Sequence, residues 1–253
     1  MTAILLLALL AWDDKAVSDA LEKFKNDYKA KETEAKVKAI EELSQVQDSR
    51  VTSKLSSLFT AEEKAVRIAA AKGLGDRSDE KEKKKASQAL GSVLKPNEKF
   101  ADVQTAILEA IAKLGEESGL PEAHKLVESE VLDVATAAVN TAGTIKSRTS
   151  FDPLIKRLKE ADEVLKPPQQ GNNAPGGKGG FGGGRFLGGP GGAAGSQTGT
   201  SQLTPKERRD LAKAMQTLIK KVLAEMAGTN CEDGKDWENW WKEHQATWKA
   251  PKS

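Results

Sequence analysis

The chain has 253 residues, enough for one or two domains, with 38% hydrophobic, 30% charged and only 5% aromatic residues. Its 39 basic and 37 acidic side chains leave a net charge of +2, which excludes a general electrostatic pull toward nucleic acid or anionic lipid; any such binding has to come from a local patch. Cys231 is the only cysteine, so neither an intrachain disulfide nor a cysteine metal cage can form.

The chain begins with an apolar run from Ala3 to Trp12, followed at once by Asp13-Asp14-Lys15. A helix needs about twenty apolar residues to span a bilayer, and this run is too short. Its length suits the core of a secretory signal, although the usual basic residue before the core and a clear Ala-x-Ala site are missing. Residues 1–13 are therefore read as a signal-like segment, giving a periplasmic or envelope protein. The alternative is a first helix docked on the body of a cytoplasmic protein, and membrane association follows only if the segment stays uncleaved.

From Val17 to Gly143 a helical pattern returns about every thirty residues, with valines 37, 66, 103 and 134 in equivalent positions. Periods of this length mean stacked helical units, because one short helix pair cannot bury its apolar face without neighbours. The spacing predicts helix pairs over 15–29 with 32–47, 49–59 with 61–74, 80–94 with 98–114, and 120–128 with 130–144. A fifth pair opens with 151–165. Pro121 and Pro153 fall in first turns, where proline's missing donor costs nothing. Gly73-Leu74-Gly75-Asp76 and Leu114-Gly115-Glu116 read as helix ends with a left-handed glycine cap.

The segment Ala65-Val66-Arg67-Ile68-Ala69-Ala70-Ala71-Lys72-Gly73-Leu74-Gly75 resembles the second helix of a HEAT repeat, with Arg67 at the family's arginine. Lys38, Gln104 and Ala135 stand there in the other, degenerate copies. The resemblance covers about 150 residues, the repeats of 14–165. It implies a right-handed α-solenoid of about five hairpins that binds proteins along one helical face, usually without catalysis. Lys38, Arg67, Lys72 and Gln104 are the candidate protein-binding residues, although the family's repeat arginine is often structural.

Residues 166–202 change character: 14 of the 22 glycines lie between Gly171 and Gly199, with only Lys178 and Arg185 charged. Such a sequence has little to bury against the entropy of ordering it, and disorder is expected. A phosphate loop would need a preceding strand and a following helix, and an RNA-binding tract would need many arginines. Its place is more telling. Thr204-Pro205-Lys206-Glu207 is a capping box that opens a new helix, so 166–202 reads either as an insertion between the two helices of a fifth pair or as an interdomain linker.

Residues 203–253 carry an apolar stripe from Leu211 to Met226 and then Trp237, Trp240, Trp241 and Trp248. Trp237, Trp241 and Trp248 share one helical face at i, i+4 and i+11. The cluster can plug the end of the stack, form a binding hot spot or sit at a membrane interface, and the need of terminal repeats for capping favours the plug. The Trp-x-x-Trp-Trp pattern resembles the C-terminal end of some bacterial extracytoplasmic HEAT-repeat proteins.

No glycine-flanked nucleophile, His-Glu-x-x-His run or paired-carboxylate motif stands out. His124 and His244 lack helical partners at ligand spacing, and the Thr229 to Asp236 turn does not fit a calcium loop. No catalytic residue, metal or cofactor is expected. The HEAT-like resemblance also admits enzymes: a bilin-type lyase or other small-ligand protein is the second reading, and a DNA glycosylase would need a basic, aromatic-lined face that near-neutral repeats do not offer. The leading expectation is a non-catalytic scaffold for a protein partner, with no nucleic acid bound.

Overall fold

The computed structural model describes residues 14–167 and 203–251. The signal-like run of residues 1–13 and the expected disorder of 168–202 lie outside the described residues. Among the described residues there are eleven α-helices and no strand. They are α1 (Asp14–Asp27), α2 (Thr33–Ser44), α3 (Ser49–Ser57), α4 (Lys64–Gly75), α5 (Glu80–Leu94), α6 (Ala101–Leu114), α7 (Leu120–Lys125), α8 (Leu132–Ile145), α9 (Phe151–Leu165), α10 (Pro205–Ala227) and α11 (Gly234–His244).

Local chemistry sets these boundaries. Asp48 accepts a hydrogen bond from the Arg50 amide to open α3, and Asp79 accepts from Lys81 and Glu82 to open α5. At α10 the Thr204 hydroxyl accepts from the Glu207 amide while the Glu207 carboxylate accepts from the Thr204 amide, at 3.3 and 2.8 Å. Helix α6 starts at Ala101 rather than at 98. A tight turn over Lys95–Asn97 intervenes, pinned by the buried Asn97 amide, which donates to the Val93 carbonyl at 2.8 Å.

The even-numbered helices touch in succession, α2 on α4, α4 on α6, α6 on α8 and α8 on α10. Helices α3, α5 and α7 touch in the same way, and α9 packs against both α10 and α11. The apolar positions of the repeat point into this contact: Val66, Val103 and Val134 are fully buried, with Ala70, Leu74, Ile107, Ile111 and Ala138 beside them. Val37, the first of the series, is only half-buried. Burying a Leu or Ile side chain contributes about 1.5–3 kcal/mol, so each helix depends on the next for its stability.

The glycines of α4 do a different job from the one their sequence suggests. Gly115 caps α6 in the left-handed conformation, with φ +71°. Gly73 and Gly75 remain inside α4, which ends on Asp76 with a negative φ. A Cβ on Gly73 would lie 2.8 Å from the Ser44 Cβ of α2, and one on Gly75 would lie 3.1 Å from the Cα of Ala110 in α6. The bare backbone is what lets α4 approach both neighbours. Gly143 of α8 plays the same part against Val222 of α10, at 2.7 Å.

Side chains reach across the same contacts to backbone carbonyls. Arg77, 3% exposed, donates to the carbonyls of Ser44, the last residue of α2, and of Val46 just beyond it, where the helix dipole favours a cation. Burial pushes its guanidinium pKa below the usual arginine range. The Thr141 hydroxyl of α8 lies 3.0 Å from the Leu108 carbonyl of α6. Gly73→Ala is expected to lose about 1–3 kcal/mol by overpacking against α2, even though alanine is the better helix former. Thermal denaturation checks this, and an unchanged or raised midpoint would contradict the close approach.

Candidate interaction surface

The exposed side of the even-numbered row is built from repeated positions. Asp102 and Thr105 on α6 recur 31 residues later as Asp133 and Thr136 on α8, the same offset that separates Val103 from Val134. While the valines point into the core, these residues border a groove of about 800 Å³ between the two helices. Ala101, Ala112 and Ala137 keep its walls low, Asn140 and Glu109 stand exposed beside them, and Lys64 and Lys99 close one end. Lys64 lies 3.5 Å from Asp102, linking α4 to α6. The groove therefore offers the Asn140 amide and the Asp102, Glu109 and Asp133 carboxylates beside half-buried Thr136, whereas the Thr105 hydroxyl is buried without a partner.

The residues proposed from sequence are dispersed. Lys38 is exposed on α2 and Lys72 on α4. Gln104 is 4% exposed and donates to the Leu94 carbonyl at 3.1 Å, so it faces inward and presents nothing to a partner. Arg67 is half-buried: its guanidinium donates to the Ala61 carbonyl and to the Asn97 side chain, at 2.6 and 2.9 Å, and lies over the Phe100 ring. It ties α4 to the turn that follows α5.

Trp240, Trp241 and Trp248 converge on Phe151, itself fully buried at the start of α9, and Trp237 meets Trp240 edge-on. Trp241 stacks on the Phe151 ring with centroids 4.1 Å apart and planes 10° off parallel, and Trp248 meets it edge-on at 5.0 Å. The Trp241 indole donates to the Asp152 carboxylate at 3.0 Å, and that of Trp248 to the Met226 carbonyl at 3.2 Å. Trp237 and Trp241 are buried, while Trp240 and Trp248 are half-buried. Helix α11 ends at His244, so Trp248 does not share its face; it arrives by a turn in which its amide bonds the His244 carbonyl.

Asp162 was not legible as important, since in sequence it is one more acidic residue on a polar stripe. Its carboxylate accepts from the Gln216 amide of α10 and from the Gly234 backbone N–H of α11, both at 2.7 Å, and so joins three helices. His124 Nε2 lies 2.9 Å from the hydroxyl of fully buried Ser150, linking α7 to the turn before α9. Burial pushes the His124 pKa down. Among the described residues no three His, Cys, Asp or Glu side chains gather as a metal site, and no helix is long and apolar enough to cross a membrane.

No protein-family model matches the chain, and comparison with curated proteins gives no match. Two outcomes follow from the geometry. Trp241→Ala is expected to lose about 3–5 kcal/mol of stability in denaturant unfolding, because it removes a stacked and hydrogen-bonded ring. A loss of under about 1 kcal/mol would contradict its burial. Because folded His124 is held neutral, the unfolded chain protonates first as pH falls below about 6.5, and stability drops from there toward the lowered folded value. Melting curves between neutral and mildly acidic pH should show this drop and show less of it in His124→Gln.

Proposed function

We propose that the chain is a HEAT-like α-solenoid of about five helix pairs that works as a non-catalytic, protein-binding scaffold, with its even-numbered helices forming the binding face. The observation that carries this reading is the groove between α6 and α8, where exposed Asp102 and Asp133 repeat in register beside Thr136 and Asn140. A stack of short helices with small residues between them presents hydrogen-bonding side chains at regular spacing. That arrangement suits an extended or helical segment of another protein, whose own polar groups can pair along the row.

On the same reading α9 and α10 are the two helices of the fifth pair, and α11 with Trp248 closes the stack. The aromatic cluster then serves as an end cap, since its buried rings already have partners within the chain. Export through residues 1–13 is part of the proposal and would place the partner outside the cytoplasm.

The test is affinity capture of the tagged chain from its native cells, with partners quantified by mass spectrometry. A groove-filling variant, Thr136→Arg with Asn140→Arg, should lose at least about tenfold of the captured partner, while Lys84→Glu on exposed α5 keeps it and both variants melt like the parent. Equal recovery by all three forms would overturn the assignment of the face.

A further inference from the structure

Charge is distributed unevenly in a chain that is nearly neutral as a whole. Residues 168–227 hold eight basic against three acidic residues, a net of +5 where the complete chain carries +2. Six of those cations lie on α10: Lys206, Arg208, Arg209, Lys213, Lys220 and Lys221. All but the half-buried Lys220 are exposed, and none of the six forms an ion pair among the described residues. The neighbouring α9 differs, since Lys156, Arg157 and Lys159 each lie within 3.3 Å of a carboxylate. Residues 168–202, which lead into α10, contain no Asp or Glu at all. The three acids of this stretch, Glu207, Asp210 and Glu225, all lie on α10 and leave its six cations in excess.

The face also has an apolar component. Lys213 and Lys221 flank Ala214, Thr217 and Leu218 around a shallow depression, with Asp210 at its edge. Ala214 and Leu218 are half-buried, turned partly outward while Leu211, Met215, Ile219 and Val222 face the core. We infer that this face of α10 is a docking surface for an acidic amphipathic helical segment of a partner protein, whose apolar side chains cover Ala214 and Leu218 and whose carboxylates meet the flanking cations. The inference rests on the reading of the even-numbered row as the binding face and names the partner chemistry at its C-terminal end.

Two other anionic partners fit less well. Helix α10 has no aromatic residue on which a nucleic-acid base could stack. A membrane-surface helix would need large apolar side chains projecting outward, and here the outward ones are Ala214, Thr217 and Leu218. A helix of opposite charge satisfies both the cations and the narrow apolar strip.

The experiment titrates the full chain with a fluorescent amphipathic helical peptide carrying leucines on one side and glutamates around them. Its lysine-for-glutamate counterpart, a single-stranded oligonucleotide and phosphatidylglycerol vesicles are titrated in parallel. The acidic peptide should bind most tightly, weaken with added salt, and lose at least about tenfold in affinity in Lys213→Glu with Lys221→Glu, a variant whose melting midpoint should match the parent. Thr136→Arg with Asn140→Arg should leave peptide binding unchanged, so failure here and failure of the α6–α8 groove are separable. Equal binding of the lysine peptide, tighter binding of the oligonucleotide or vesicles, or insensitivity to the double reversal would each overturn the inference.

Discussion

A helix of twelve to fifteen residues with one apolar face cannot hide that face by itself, and this constraint organises the molecule. Each of α4, α6 and α8 packs against the even-numbered helix before it and the one after it. Close approach is therefore at a premium, and Gly73, Gly75 and Gly143 supply it by leaving the contact free of side chain. Once the backbones are this near, Arg77 and Thr141 can reach the carbonyls of the preceding helix. On the outer sides of α6 and α8, residues at the same offset, such as Asp102 and Asp133, border one groove.

Helix α10 packs on α8 and α9, and α11 packs on α9 with Trp240 and Trp241 against Phe151. Asp162 holds the three elements in one hydrogen-bonded junction. These contacts join residues on both sides of 168–202, so the helices after that segment belong to the same packed body as those before it. Helix α10, which carries the cationic face, packs directly on α8, one wall of the groove.

The periodic valines made the helical pairs legible, because burial requires the same residue type each time the phase returns. Helix ends were readable where a single residue fixes them, as Thr204 and Gly115 do. Gly73 and Gly75 misled, since a glycine near a helix end and one facing a neighbouring helix look alike until the neighbour is known. Gln104 looked like a polar face position but turns inward to the Leu94 carbonyl. Arg77 and Asp162 were invisible for a related reason: their partners lie 31 to 72 residues away in the chain. The groove residues did carry a signal, because the offset that relates Val103 to Val134 also relates Asp102 to Asp133.

The central claim is that the helices on either side of 168–202 form one packed body, and the most direct measurement is to supply them as two chains. Residues 1–167 and 203–253, co-expressed with a tag on one piece only, should copurify in equal amounts, because α10 is buried by α8 and α9 and α11 by α9. The pair should also melt as a single cooperative unit. Recovery of the tagged piece alone, folded and without its counterpart, would contradict the account.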